Sequence, residues 1–316
     1  VVYEPGEIVC TNGAKQALLE ALMATCDPGD EVIVPAPFWP SHLGIPQLIG
    51  ATPVLVETHP QDGYVLQAAA LEAAITPSTR MIILCNPSNP TGAVVPRAEL
   101  EAIADVVRRY PRVIVLADEI YEAIYYAEPV TAFASLAGMR ERTITVNGFS
   151  KNASMTGFRL GYLAAPLAIA KACSKVQGSN TSCPSSISQH AGIAALKHAV
   201  GPFAAEATEN FRQKRDFVLS RLRAMSGVEC PTPQGAFYAF PSVSAHFGRT
   251  SPEGVSVHDS TSFCEYLLRE CNLAVVPGDA FGAPTCVRLS YATDMGSLEE
   301  AMNRMERGIN ALKVGK

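Results

Sequence analysis

The run Val113-Ile114-Val115-Leu116 constrains the fold more than any other segment. It is apolar throughout, mostly β-branched, and lacks the polar alternation of a half-exposed strand. It therefore predicts a strand buried on both faces, the central position of a parallel sheet with helices on either side. Similar short runs recur at Glu7–Thr11, Glu31–Pro35, Pro53–Thr58, Met81–Cys85, Val113–Ala117, Thr143–Val146 and Tyr162–Ala165. Segments of helical period lie between several of them, at Lys15–Thr25, Gln67–Ile75 and Arg97–Arg109. Alternation of this kind predicts an α/β fold with a mostly parallel sheet covered on both faces.

The pattern changes near residue 200. A long helix is predicted over Pro202–Met225, with proline as a first-turn residue. Shorter strands follow at Ala236–Phe240, Leu273–Val276 and Val287–Tyr291, and an amphipathic helix near Ser297–Leu312 closes the chain. The expected organisation is a large α/β domain over 1–201 and a smaller α+β C-terminal domain over 202–316. The Ser-, Gly- and Pro-rich stretch Ser242–Val257 reads as a surface excursion.

Composition narrows the classes of function. With 48% hydrophobic and 17% charged residues the chain reads as soluble and globular. No apolar run is long enough for a membrane helix, so no membrane role is expected. A net charge of −5 and the lack of a basic, aromatic-interleaved cluster argue against nucleic acid. The nine cysteines are scattered and none has zinc spacing, which points to free thiols in a reducing compartment and to no metal. The chain opens on Val1 rather than Met, so it is expected to be cut from a longer polypeptide.

Three segments carry chemistry. Asn86-Pro87-Ser88-Asn89-Pro90-Thr91-Gly92 follows a strand and reads as a rigid turn at the sheet edge where α/β proteins bind ligands. Asp118-Glu119-Ile120-Tyr121 ends the most apolar strand, where a carboxylate must meet a cation or donors, or else cap a helix. Ser150-Lys151-Asn152-Ala153-Ser154-Met155-Thr156-Gly157-Phe158-Arg159-Leu160-Gly161-Tyr162 follows another strand. Beside a buried strand end, Lys151 can lose its proton through desolvation and act as an amine nucleophile on a carbonyl. Arg159 can clamp a phosphate or carboxylate. Taken singly, each segment also reads as an ordinary turn, a helix cap or solvated basic residues.

As an ordered set, these segments resemble the class I aminotransferases of the aspartate aminotransferase family, pyridoxal-phosphate enzymes of fold type I. The resemblance extends to Asn12-Gly13-Ala14-Lys15-Gln16-Ala17-Leu18, Pro277-Gly278-Asp279-Ala280-Phe281-Gly282 and Arg288-Leu289-Ser290-Tyr291-Ala292-Thr293. Within the family the chain is similar to the bacterial-type subgroup that includes plant plastid aspartate/prephenate aminotransferases. Thr145-Val146-Asn147-Gly148-Phe149-Ser150-Lys151 suggests the plastid branch.

The resemblance implies pyridoxal 5'-phosphate as cofactor, held by Lys151 as a Schiff base. Lys151 would also shuttle the substrate Cα proton. Asp118 would pair with the pyridine nitrogen, while Tyr121 and Asn89 would bond the ring oxygen. Trp39, the single tryptophan, would stack on the ring. Gly13, Ala14 and Lys15 at a helix start, with Arg159 and Ser150, would hold the phosphate. Arg288 would grip the substrate α-carboxylate, with Trp39 and Asn89 also near the substrate, and Lys15 is a candidate distal contact. The implied reaction transfers an amino group between aspartate or glutamate and a 2-oxo acid, with prephenate among the acceptors.

A homodimer in the cytoplasm or plastid stroma is implied as well. The family carries a segment upstream of Asn12-Gly13 that closes over substrate and reaches the partner's phosphate site. The sequence departs from the family at Phe158, where Trp is usual, and near Asn152–Ser154. Other readings are another pyridoxal-phosphate enzyme of the same fold (an aromatic or alanine aminotransferase, or a Cα lyase) and a truncated, pyridoxal-phosphate-binding protein with little activity. A nicotinamide dehydrogenase is disfavoured, because no Gly-x-Gly-x-x-Gly follows the first strand.

Overall fold

The computed structural model describes residues 1–198 and 202–314. Seven strands build the main sheet: β1 (Ile8–Thr11), β2 (Glu31–Ala36), β3 (Thr52–Glu57), β4 (Thr79–Cys85), β5 (Ile114–Asp118), β6 (Thr143–Gly148) and β7 (Gly161–Ala164). Their order is β1-β7-β6-β5-β4-β2-β3. All neighbours are parallel except those of β7, which runs antiparallel to both β1 and β6. β5 is buried along its whole length, as its unbroken apolar run requires.

Helices cover both faces. On one side α1 (Ala14–Thr25), α2 (Pro40–Leu48) and α5 (Leu167–Asn180) enclose a core that includes Leu18, Leu22, Val32, Leu116 and Leu163. On the other, α3 (Ala68–Ala74) and α4 (Arg97–Arg109) enclose Ile33, Ile82, Leu100, Ile103 and Val107. α4 shows why such a segment is helical. It buries Leu100, Ile103, Ala104 and Val107, spaced three and four apart, and it carries Glu99 in its first turn and Arg108 and Arg109 in its last. α2 was not apparent in the sequence, because Gly44 and Pro46 interrupt its pattern, yet Pro40 starts it as a first-turn residue.

Beyond α6 (Ser186–His198) and α7 (Pro202–Ala224) the chain builds two small sheets. β8 (Tyr238–Ala239), β11 (Val276–Pro277) and β12 (Val287–Ser290) form one, in the order β11-β12-β8. β9 (Arg249–Thr250), β10 (Ser256–Val257) and β13 (Lys313–Val314) form the other. α8 (Ser260–Cys271) and α9 (Met295–Ala311) pack on them. Asp294 caps α9, accepting from the Ser297 amide at 2.8 Å. The domain boundary expected after residue 201 falls beside 199–201, which lie outside the described residues.

Two expectations need correction. The strand predicted at Leu273–Val276 is confined to Val276–Pro277, where pairing with β12 is available. Ser242–Val257 is not merely a surface excursion. It contributes β9 and β10 and buries Val243, His246, Ser251 and Val257.

Candidate active site

The parallel strands β2, β4, β5 and β6 end at one edge of the sheet, and the motif segments leave from there. Backbone bonds carry the ladder past the strand ends. The Asn86 amide donates to the Asp118 carbonyl at 3.1 Å, and the Glu119 amide donates to the Val146 carbonyl at 2.9 Å. The turn after β4 closes through Ser88 N–H to Ala93 O (2.9 Å) and Gly92 N–H to Ser88 O (3.0 Å). Gly92 has φ +69°, and a Cβ there would lie 2.5 Å from Pro233 Cβ, so glycine is needed on both counts. Its carbonyl accepts from the Gln234 and Gly235 amides at 2.8 and 2.9 Å. The turn thereby anchors the segment that leads into β8.

A cleft of about 440 Å³ opens at this edge. Ten of the eleven residues singled out from the sequence line it: Ala14, Lys15, Trp39, Asn89, Asp118, Tyr121, Ser150, Lys151, Arg159 and Arg288. Gly13 stands just behind. Its amide donates to the Thr11 carbonyl at 2.8 Å, so it is not a free donor to the cleft. What Gly13 supplies is room, because a Cβ at its φ of +79° would lie 2.6 Å from Arg159 Nη2. The amides of Ala14 and Lys15, in the first turn of α1, have no carbonyl four residues back to bond. Both residues line the cleft beside the Arg159 side chain, whose Nη1 donates to the Thr156 carbonyl at 3.1 Å. This is an anion cradle at a helix N-terminus.

Asp118 is buried and meets His42, whose Nε2 lies 3.0 Å from Asp118 Oδ2. Burying a carboxylate without a donor is costly, and His42 supplies one. Cys85 lies close enough that the three side chains have metal-ligand types within 4.8 Å of one another. The hydrogen bond already accounts for the His42 and Asp118 atoms. Asn89 Oδ1 accepts from Arg288 Nη1 at 2.8 Å, which leaves the Asn89 amide nitrogen as a donor. The Arg288 guanidinium sits between the rings of Tyr238 (4.7 Å) and Phe281 (4.8 Å). Its Nε is buried and has no partner among the described residues. A buried, unpartnered charged donor beside a cleft is suited to an incoming carboxylate.

The Lys151 ammonium lies over the rings of Phe237 (5.4 Å) and Tyr121 (5.8 Å). Burial lowers its pKa from the ordinary lysine value, and the charges of Arg288 and Arg159 lower it further against the opposing pull of Asp118. A larger fraction of the free amine near neutral pH is what a carbonyl-attacking lysine needs. Tyr121 hydrogen-bonds Tyr238 through the two hydroxyls at 2.7 Å.

A larger cleft of about 660 Å³ lies elsewhere, lined by Glu57, Tyr64, Glu229 and Cys286 among others. It has no Lys, Arg or His in its wall, so volume alone does not make it the site. His42 and Tyr238 were missed from sequence. His42 stands three residues after Trp39, one turn into a helix whose pattern Pro46 obscured. Tyr238 read only as part of an apolar strand.

Pyridoxal phosphate fits these residues. The cradle at Ala14, Lys15 and Arg159 matches its phosphate, the buried Asp118 its ring nitrogen, and Lys151 its aldehyde. Sheet and cleft together define the scaffold of the fold type I enzymes. The comparisons agree. The chain superposes on the crystal structure of the aspartate aminotransferase from Rhizobium meliloti with a TM-score of 0.95 and 43% identity, covering 99% of this chain and 78% of that one. For the aromatic aminotransferase from Pyrococcus horikoshii the TM-score is 0.87 at 40% identity, covering 96% and 79%. A bifunctional aspartate aminotransferase and glutamate/aspartate-prephenate aminotransferase of Petunia hybrida is 46% identical over 98% of this chain, which spans 66% of that relative's length. The family model described as aminotransferase class I and II matches residues 1–305, and the chain belongs to that family.

Proposed function

We propose that this chain carries the cofactor and substrate machinery of an aminotransferase that moves an amino group between aspartate or glutamate and a 2-oxo acid, in two half-reactions on pyridoxal 5'-phosphate. The observation that carries the reading is the charge of the cleft. Lys15, Lys151, Arg159 and Arg288 converge on it, against the single carboxylate of Asp118. A cofactor phosphate, a substrate α-carboxylate and a substrate side-chain carboxylate would match that excess.

The bound cofactor supplies an electron sink for the pair released when the substrate Cα loses its proton. The residues do the rest. Lys151 Nζ would hold the cofactor, and its amine is placed to take the proton from the substrate Cα and deliver it to the carbon that receives the amino group. Asp118 would keep a proton on the ring nitrogen, and His42 holds Asp118 in place. Asn89 Nδ2 and the Tyr121 hydroxyl would donate to the ring oxygen, and Trp39 would cover a ring face. The Ala14 and Lys15 amides, Ser150 and Arg159 would take the phosphate. Arg288 would offer Nε and Nη2 as a planar fork to the α-carboxylate, because Nη1 is already committed to Asn89. Lys15, exposed and 4.9 Å above the Trp39 ring, is placed to meet a second carboxylate.

The aromatic rings of Trp39 and Tyr238 in the cleft wall suit prephenate, a cyclic dicarboxylate, as a further acceptor. A homodimer is also part of this reading, supported by the apolar residues Ile187, Ile193 and Leu196 exposed on α6. Sedimentation that finds a monomer at micromolar concentration would remove the dimer from it.

The experiment is an absorbance spectrum of the protein with pyridoxal phosphate, followed by challenge with aspartate, glutamate, alanine and phenylalanine. Dicarboxylic amino acids should bleach the cofactor band fastest, and borohydride should fix the cofactor on the peptide containing Lys151. Label on another lysine, or preference for alanine or phenylalanine, would overturn the assignment.

A further inference from the structure

Tyr121 does not face the cleft alone. Its hydroxyl is 2.7 Å from that of Tyr238, a residue 117 positions away in the chain. The Tyr121 ring is gripped edge-on by Phe237 (5.4 Å, 81°) and by Tyr238 (5.7 Å, 79°). Both phenols are buried, and no other side chain bonds either hydroxyl among the described residues. β8 places Tyr238 there, and β12, its neighbour, carries Arg288 over the Tyr238 ring at 4.7 Å.

We infer that Tyr238 is a positioning residue that acts through Tyr121: its hydroxyl donates to the Tyr121 oxygen and so commits the Tyr121 proton to the cofactor's ring oxygen. The inference rests on the cofactor reading above. Each phenol has one proton to give. If Tyr121 donated to Tyr238, it would have none for the cofactor, and Asn89 would be the sole donor there. If Tyr238 donates, Tyr121 keeps its proton free and becomes a stronger donor, since linked hydrogen bonds polarise one another. The surroundings favour this direction. Burial holds both phenols above the ordinary tyrosine value, but the Arg288 cation against the Tyr238 ring offsets part of that rise, whereas at Tyr121 the Asp118 carboxylate adds to it. The more acidic phenol of a pair is the better donor.

Donors to the ring oxygen favour the form of the bound chromophore that has lost a proton, so losing donor strength moves its titration midpoint up. The test is a spectrophotometric pH titration of the cofactor-loaded protein as wild type, Tyr121→Phe, Tyr238→Phe and the double variant. Phenylalanine keeps each ring and its packing. Tyr238→Phe should raise the midpoint by roughly 0.1–0.7 pH unit, about 10–30% of the strength of one hydrogen bond to a charged group. Tyr121→Phe should raise it more. The double variant should match Tyr121→Phe, because Tyr238 has no route to the oxygen without it.

An unmoved midpoint in Tyr238→Phe, with or without a loss of thermal stability, would reduce the residue to packing and overturn the inference. Shifts that add in the double variant would also overturn it, since Tyr238 would then act by another route. A wild-type protein that shows no cofactor band overturns the cofactor reading and this inference together. A normal band with an unmoved Tyr238→Phe midpoint overturns the inference alone.

Discussion

Glu119 follows Asp118 in the chain and points away from the cleft, as alternation along an extended segment requires. It is buried, it accepts from the Phe133 amide at 3.0 Å, and burial raises its pKa to about 8. The sign of the consequence follows from proton counting. Between the ordinary glutamate value and about 8, the folded chain keeps a proton that the unfolded chain has released. Stability contributed by this group is therefore full below that window and is lost as pH rises through it, at up to about 1.4 kcal/mol per pH unit. Glu119→Gln keeps an acceptor for Phe133 and cannot ionise. Urea midpoints of the variant should hold up as pH rises toward that value while the wild type weakens, and parallel profiles would refute the account. Asp118 belongs to the same strand end and has the opposite task. Asp118→Ala should slow the amino-acid half-reaction by at least roughly 10²-fold while borohydride still traps cofactor at Lys151. His42→Leu should fall between that variant and the wild type, and near-normal turnover in Asp118→Ala would leave the carboxylate a structural role only.

At the scale of elements, the anion cradle depends on two glycines that bring a strand and a helix start together. A Cβ on Gly161, the first residue of β7, would lie 2.5 Å from Ala14 N and 2.6 Å from Gly13 C. Backbone atoms cannot yield as a flexible side chain can, so Gly161→Ala must push α1 away from β7. Overpacking of this kind costs about 1–3 kcal/mol. It should also weaken cofactor affinity, because the displaced amides are those of the cradle. Gly157→Ala is the control, since a Cβ there meets nothing within 4 Å. Thermal melts and cofactor titration of both variants check the expectation, and equal behaviour of the two would sink it. Arg159 completes the cradle from a left-handed backbone conformation (φ +51°), uncommon for a side chain of its kind. Its neighbours in Thr156-Gly157-Phe158-Arg159-Leu160-Gly161 were legible as a turn. The conformation that aims the guanidinium was not.

At the scale of the molecule, the cleft has two contributors. Residues between 14 and 159 supply most of its lining, while Tyr238 and Arg288 come from the small sheet formed after α7. The Asn86–Gly92 turn joins the two, because Gly92 O holds the Gln234 and Gly235 amides and Asn89 holds Arg288. Cofactor binding and substrate binding should therefore separate on mutation. Arg288→Lys keeps the charge but loses the planar fork. It should slow the amino-acid half-reaction markedly and weaken dicarboxylate binding, with the cofactor spectrum little changed. Stopped-flow absorbance with aspartate makes the comparison, and unchanged kinetics would exclude the fork.

The sequence by itself determined the α/β class, the central strand β5 and the three motif segments, and its resemblance to a known family pointed to ten of the residues that line the cleft. The class, the strand and the segments are local features. An apolar run without alternation can only be buried on both faces, and glycines, prolines and charged residues at strand ends mark the edge where a parallel sheet binds ligands. The tertiary structure decided what depends on pairing between distant segments. His42 meets Asp118 across 76 positions, and Tyr238 meets Tyr121 across 117. Neither contact leaves a periodic signature. A histidine in a proline-interrupted helix and a tyrosine in an apolar strand become part of the site only when another element brings them a partner. Gly13 shows the same limit from the other side. Its place at the helix start was legible, but its role as the space for Arg159, rather than as a donor, depends on a side chain that arrives from the turn before β7.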